Sequence, residues 1–363
     1  MRLALIASLV SPVREPQCGG AQAFLADLAT GLATRGHEVD VFAASGSEID
    51  GARVVDVGVD ASTLQQFLYR AGSSPPADPA PFVAAYARVF EALGKRSYDV
   101  VHNHAFDAPA IRCAIGTAPS VVHTLHLPPE KSVVNALRDA SRSQHPPLIA
   151  TVSPAQADAW RQFIEIDTVL PVGVATERVP WSAAPGSGGV FAGRFSPEKG
   201  AVDAIAIARR AGVSIDLYGD GYDDGYAERV VSAADGQPGI RVHPAAPRAA
   251  LWRVVAAAAT VLCPANWDEP FGLVAAEAQS CGTPVVAYRR GGLQDIVVDG
   301  VTGFLVEPGD IDAAAAAVGR VGELDRTACR RHAEAHLDLE AVLDAHEHVY
   351  RGVLTSALAA SHG

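Results

Sequence analysis

Basic residues are scarce in this chain. Its 363 residues carry 29 Lys and Arg against 41 Asp and Glu, a formal net charge of −12. Nucleic-acid binding and anchoring on an anionic membrane both need clustered cations, so the balance disfavours both and fits a small or weakly charged partner. Cysteine is scarce as well. Cys18, Cys113, Cys263, Cys281 and Cys329 are odd in number, widely spaced and without a CxxC pair, which points away from a disulfide framework or zinc site and toward reduced, buried thiols. No apolar run approaches the ~20 residues of a membrane span. The opening MRLALIASLV has the look of a short signal peptide, but Pro12 cuts it and no small-residue cleavage site follows, so a first buried strand is expected. These absences lead us to expect a cytoplasmic protein.

What is present is apolar residues in alternating patterns. At 49% hydrophobic the chain packs, and its length exceeds what one core usually serves, so two domains are expected. LALIASLV is followed by Ala21, Phe24, Leu25, Leu28 and Leu32 at helix spacing, a stop at Gly36, and EVDVFAA. The alternation continues through DVVHNH, VVHTLH and LIATVS, each a strand candidate ending in polar residues. Parallel sheets flanked by helices follow from it. SSPPADPAP, from Ser73 to Pro81, reads as a mobile surface loop. VPWSAAPGSGG, from Val179 to Gly189, reads as an interdomain linker. After it VFAGR, SIDLYGD, IRVHPA, TVLCPA, PVVAYRR and GFLVE form a second series. Two doubly wound domains in tandem direct their strand ends toward a shared cleft. The boundaries expected are 1–175 with the last helix, about 340–363, for the first domain and 176–339 for the second. From Leu339 a long helical pattern presents Val342, Leu343, Val349, Val353 and Leu354 for packing on either domain.

Chemistry is expected in two stretches. In FAGRFSPEKG, Phe191 to Gly200, Ser196 suits an N-cap and Pro197 the first helical position, so a helix is predicted to begin there. Lys199 then falls in its first turn, where the dipole disfavours a cation, and Arg194 adds a second positive charge. Either a diphosphate lies between them, met by both cations and by backbone N–H groups, or both are solvated cations partly offset by Glu198. In DEPFGLVAAEAQSCG, a helix is predicted from Phe271 to Cys281, stopped by Gly282, with Gly272 allowing close backbone approach. Glu269 lies just before it and Glu277 within it. An ionised carboxylate only accepts hydrogen bonds, which suits a vicinal diol and not a diphosphate. Glu277 is therefore expected to hold ribose hydroxyls and Glu269 to face a donor sugar. The alternative is that Glu269 caps the helix and Glu277 faces water.

GRFSPEKG, EPFGLVAAEAQSCGTPVVAYRRGG and DGVTGFLVEPGD together resemble the family-4 retaining glycosyltransferases of the GT-B fold. The amino-terminal half agrees, since GGAQAFLADLATGLATRGHEVDVFA is similar to that family's first glycine loop, helix and second strand. DVVHNH and TLHLPPE are similar to a subgroup found in orthosomycin (avilamycin) biosynthesis. The resemblance implies a fold of two Rossmann-like domains facing across a cleft, the final helix crossing back to the first domain. It implies that Arg194 and Lys199 bind the donor diphosphate, that Glu277 binds ribose, and that the backbone of Phe271, Gly272 and Leu273 meets phosphates and sugar. Glu269 matches the glutamate near the sugar and the reacting centre. His126 matches a histidine at the donor sugar and acceptor, and Gly19 and Gly20 match the loop under the diphosphate. The chain departs from the family at Val172 and Ala175, where a polar pair is usual, and at Asp295, where Glu is usual.

The implied activity is metal-independent, cofactor-free hexosyl transfer from a nucleoside-diphosphate sugar, UDP in preference to GDP or ADP, to an acceptor hydroxyl in natural-product or cell-envelope glycoside synthesis. A non-catalytic nucleotide-sugar-binding partner of another transferase is the alternative. His102, His104 and His123 crowd near His126 but lack a carboxylate or cysteine at ligand spacing, so no metal is expected. YGDGYDDGY reads as a strand-end loop placing Gly219 and Gly221 beside the nucleotide. Trp252 and Trp267 read as packing residues. The amphipathic, mildly basic KSVVNALRDASR is a candidate for peripheral membrane contact on the acceptor side.

Overall fold

In the computed structural model, residues 1–17, 19–70, 76, 78–117 and 121–361 are described. Cys18 and, within the proline-rich 73–81 stretch, residues 73–75 and 77 lie outside them; a helix, Ala80–Leu93, begins within that stretch. The chain divides into two units. The first comprises Met1–Arg14, Ala21–Val172 and Leu339–Gly363, and the second Glu15–Gly20 and Gly173–Asp338.

The first unit contains β1 (Arg2–Ile6), β2 (Glu38–Ala43), β3 (Arg53–Asp56), β4 (Val100–Asn103), β5 (Val121–Leu125), β6 (Leu148–Thr151) and β7 (Thr168–Val169). They form one sheet in the order β3-β2-β1-β4-β5-β6-β7, every pair parallel. Strands covered by helices on both faces need apolar residues at nearly every position, which is why β1 carries LALI. The second unit contains β8 (Gly189–Ala192), β9 (Ile215–Tyr218), β10 (Ile240–His243), β11 (Thr260–Cys263), β12 (Val285–Tyr288) and β13 (Gly303–Val306). Their order is β10-β9-β8-β11-β12-β13, again all parallel. Both sheets therefore reverse direction once, between β1 and β4 and between β8 and β11. Beyond the carboxyl ends of the strands at such a reversal a doubly wound sheet opens a crevice for ligand.

The division between units falls at Val172 and Gly173, ahead of the 179–189 stretch. That stretch packs on the second unit, where the buried Arg326 donates to the carbonyls of Ser182, Ala258 and Ala256. The last helix, Leu339–Ser361, belongs to the first unit. Leu343 sits against Gly31, where a Cβ would come within 2.7 Å of its Cδ1, and Arg35 pairs with Glu340 and Asp344.

The helix Lys131–Ser141 corrects the membrane expectation. Its apolar face, Val133, Val134, Ala136, Leu137 and Ala140, is buried in a core with Ile111, Ile149 and Trp160. This helix therefore has no apolar face left for lipid. No helix among the described residues is long and apolar enough to cross a membrane. The described cysteines are all free, and burial pushes the Cys263 thiol up to about 12.

Candidate functional site

In the second unit, Arg194 follows β8, and the turn after it differs from the expected helix start. Pro197–Lys199 is a single 3₁₀ turn, Gly200 is left-handed at φ 75°, and the helix proper is Ala201–Ala211. A Cβ at Gly200 would stand 1.9 Å from the Pro264 carbonyl oxygen, so the turn after β8 is pressed onto the end of β11 and the chain needs glycine there. Lys199 is thereby set ahead of the helix. Ser196 makes no cap bond; its hydroxyl and Arg194 Nε are buried with no hydrogen-bond partner. Arg194 Nη2 donates to Glu198 at 3.3 Å, and its guanidinium lies 4.3 Å from the Tyr222 ring centroid. Gly219, after β9, is held against Gly193, whose carbonyl oxygen would be 2.1 Å from a Cβ.

After β11 the chain turns through Asn266–Phe271 into the helix Leu273–Ser280, with Gly272 at φ 102° as its N-cap. Phe271, Gly272 and Leu273 are buried. Lys199 Nζ donates to both carboxylate oxygens of Glu269, at 2.9 and 2.7 Å. Trp267 Nε1 donates to the same carboxylate at 2.8 Å, and Lys199 lies 4.9 Å from the Trp267 ring centroid. Trp267 thus does more than pack. Glu277, 5% exposed, does not face water: its Oε1 accepts from Arg248 Nε at 2.8 Å. Arg248 lies over Trp252 at 5.0 Å and opens the helix Arg248–Ala257. It was not anticipated, although it carries the signal that singled out Lys199, a cation at a helix start.

The glycine loop joins this group. Glu15–Gly20 falls with the second unit; Glu15 accepts from the Arg248 backbone N–H at 3.1 Å, and a Cβ on Gly20 would lie 3.5 Å from Leu273 Cβ. Gly19 is half-buried. Among Arg194, Lys199, Gly19, Gly20, Gly219, Glu269, Phe271, Gly272, Leu273 and Glu277, all lie in the second unit. Asp220 and Asp223 serve the backbone instead, accepting from Ala245 and Tyr226 N–H. Among the described residues no group of three or more His, Cys, Asp or Glu is arranged to hold a metal ion.

In the first unit, β4 and β5 carry a histidine cluster to their carboxyl ends. His102 is satisfied on both nitrogens, by Tyr350 Oη and Thr124 Oγ1 at 2.7 Å each. His123 Nδ1 meets Asn103 Nδ2 at 2.9 Å. His126 Nε2 meets His104 Nδ1 at 3.1 Å, with Phe106 and Phe24 edging its ring. Burial holds His123 and His126 down to about 3 and His346 to about 4. Asp107, beside Tyr86 and Ser8, is pushed up to about 6 by burial against the hydrogen bonds of those two hydroxyls.

These shifts set a pH dependence. A histidine kept neutral in the fold but titrating near 6.5 when unfolded contributes stability that is intact above that value and is lost as pH falls toward the folded pKa. At pH 5 each such histidine costs about 2 kcal/mol relative to pH 7. Asp107 acts oppositely, its folded pKa being raised, and returns about 1 kcal/mol over the same interval. The histidines dominate, so unliganded melting should fall steadily from pH 7 to pH 5. A melting temperature flat or rising across that window would show that the cluster is hydrated or paired in solution.

The model for group 1 glycosyl transferases matches residues 189–336, and that for glycosyltransferase family 4 matches residues 18–178. D-inositol 3-phosphate glycosyltransferase of Mycobacterium marinum is 30% identical, over 92% of this chain and 82% of that protein. Among solved structures, Anabaena HepE, in complex with UDP and glucose, superposes with a TM-score of 0.75 at 19% identity, over 96% of this chain and 99% of that one. AviGT4, a glycosyltransferase involved in avilamycin A biosynthesis, gives a TM-score of 0.68 at 22% identity, covering 98% of both chains. At that identity the likeness to AviGT4 is one of fold, and the orthosomycin subgroup is not singled out by it. The two parallel-sheet units, with these matches across them, make the chain a GT-B glycosyltransferase of the group 1 and family 4 glycosyltransferases.

Proposed function

We propose that this glycosyltransferase moves a sugar from UDP-sugar to an acceptor hydroxyl with retention at the anomeric carbon, without a metal. The observation that carries the donor assignment is the strand-end turn of the second unit. There Arg194 Nε and Ser196 Oγ are buried without partners beside Lys199, a set of donors that an oxyanion would satisfy. Arg194, Lys199 and the N-terminal N–H groups of the helix Leu273–Ser280 take the diphosphate, and Glu277 takes the ribose hydroxyls. Gly19, Gly20 and Gly219 give the backbone room around them. Glu269 and His126 serve the transferred sugar. HepE, solved with UDP and glucose, supports uridine as the base by analogy of fold.

In the reaction the bond from the anomeric carbon to the diphosphate oxygen breaks with its electron pair leaving on the phosphate. The acceptor oxygen bonds to the same face, and its proton passes to the departing phosphate. Negative charge grows on that phosphate, so fixed cations there stabilise the transition state more than the bound donor. The acceptor is a polyol hydroxyl by analogy with the inositol-phosphate transferases at 30% identity. The orthosomycin-type alternative rests on DVVHNH and TLHLPPE.

The test is a thermal-shift and hydrolysis panel of UDP-, GDP- and ADP-sugars with the purified chain. UDP-sugars should give the largest shift and slow release of UDP. A larger shift with GDP- or ADP-sugars would replace the base assignment, and binding without any turnover in the presence of polyol acceptors would favour a non-catalytic partner.

A further inference from the structure

His104 lies one residue past β4 and His126 one past β5, on neighbouring parallel strands. Their rings are 5.3 Å apart at 29°, and His104 Nδ1 stands 3.1 Å from His126 Nε2. On its other side His104 packs on His102, with ring centroids 3.9 Å apart, and on the edge of Phe24. His104 is 2% exposed and its Nε2 is buried with no hydrogen-bond partner. Such packing leaves the His104 ring one hydrogen bond, and that bond is to His126.

A neutral imidazole carries one proton, and two arrangements fit a hydrogen bond between these rings. In one, His126 Nε2–H donates to His104 Nδ1. The proton of His104 then sits on Nε2, a buried N–H with no acceptor, and His126 turns a bare Nδ1 outward. In the other, His104 Nδ1–H donates to His126 Nε2. His104 then buries only a lone pair, and the proton of His126 sits on Nδ1. A buried N–H left without an acceptor is rarer and costlier than an unsatisfied lone pair. The second arrangement is favoured.

We propose that His104 is a positioning residue that fixes the tautomer of His126, so that His126 offers an Nδ1–H donor to an oxygen of the sugar or acceptor and does not act as a base. This rests on the assignment of His126 to the transferred sugar. It accords with proton removal by the leaving phosphate, because a donor histidine can hold an oxygen in position while a base would compete for the same proton. The burial that keeps both rings neutral preserves the arrangement at working pH.

The full chain labelled with ¹⁵N-histidine reports the tautomer directly in a long-range ¹H–¹⁵N correlation spectrum, assigned with His126→Asn and His104→Asn. His126 should show a protonated Nδ1 and a bare Nε2. His104→Leu removes the donor to Nε2 and should lower kcat tenfold or more, with KM for UDP-sugar within about twofold. His104→Asn, whose amide N–H can reach Nε2, should recover most of that loss and restore the His126 signals. A wild-type spectrum with the proton on His126 Nε2 overturns the proposal. So does His104→Leu with wild-type kcat and wild-type signals. The spectrum stands apart from activity: a chain that does not turn over UDP-sugars yet shows Nδ1–H on His126 contradicts the function above and leaves the tautomer assignment intact. If His104→Leu fails to fold, the wild-type spectrum and His104→Asn still decide.

Discussion

Lys199→Ala should weaken UDP binding about tenfold while leaving unliganded melting close to that of the wild type. A charge-assisted contact to phosphate is worth roughly 1.5–3 kcal/mol. Lys199 already has a partner, however, since it holds both oxygens of Glu269. Taking up a diphosphate loosens that pair, so the net gain belongs at the low end of the range, and about 1.4 kcal/mol is tenfold in affinity. The pair is largely buried, with side-chain exposures of 22% and 15%, but Glu269 keeps the Trp267 N–H donor at 2.8 Å when the lysine is removed, so unliganded melting should fall only slightly. Calorimetric titration with UDP measures the change. An unaltered dissociation constant would remove Lys199 from the donor site.

The ion pair also explains what sequence reading could and could not reach. Strands were legible because a parallel sheet buried on both faces writes itself as apolar runs, as in LALI and VVAY. The cationic turn after β8 and the paired glutamates were legible because charge there contradicts its surroundings. Which cation meets which carboxylate was not. Lys199 and Glu269 are 70 residues apart and Arg248 and Glu277 are 29 apart, so their pairing depends on strand order, which local pattern does not encode. The helix start at Ser196-Pro197 was overridden by contact between Gly200 and Pro264, a tertiary constraint on a sound local signal. The amphipathic 131–141 stretch shows the same limit, since an apolar stripe looks alike whether a core or a bilayer receives it.

The central claim is that the second unit holds a nucleoside diphosphate with its cations on the phosphates and Glu277 on the ribose. Glu277→Ala tests it most severely, because ribose is present in UDP whether or not a sugar is attached. Two hydroxyl contacts to a carboxylate are worth roughly 1.5–3 kcal/mol, a loss of ten- to more than a hundredfold in UDP affinity. The same substitution takes from the part-buried Arg248 its carboxylate, so unliganded melting should also fall, by an amount corresponding to about 1–3 kcal/mol. Glu277→Gln keeps an oxygen for Arg248 and separates the two effects. Its unliganded melting should approach wild type while UDP affinity stays reduced. Glu269→Ala frees Lys199 and should bind UDP as well as wild type or better, yet transfer poorly. A ligand at ~100 times its dissociation constant stabilises the fold by about 2.7 kcal/mol, which a thermal shift resolves. The decisive measurement is therefore the UDP-induced shift in wild type, Glu277→Ala, Glu277→Gln and Glu269→Ala, each referred to its own unliganded melting. We expect the shift kept in wild type and Glu269→Ala and lost or reduced in both Glu277 variants; an undiminished shift in Glu277→Ala, or equal loss in Glu269→Ala, would contradict the assignment.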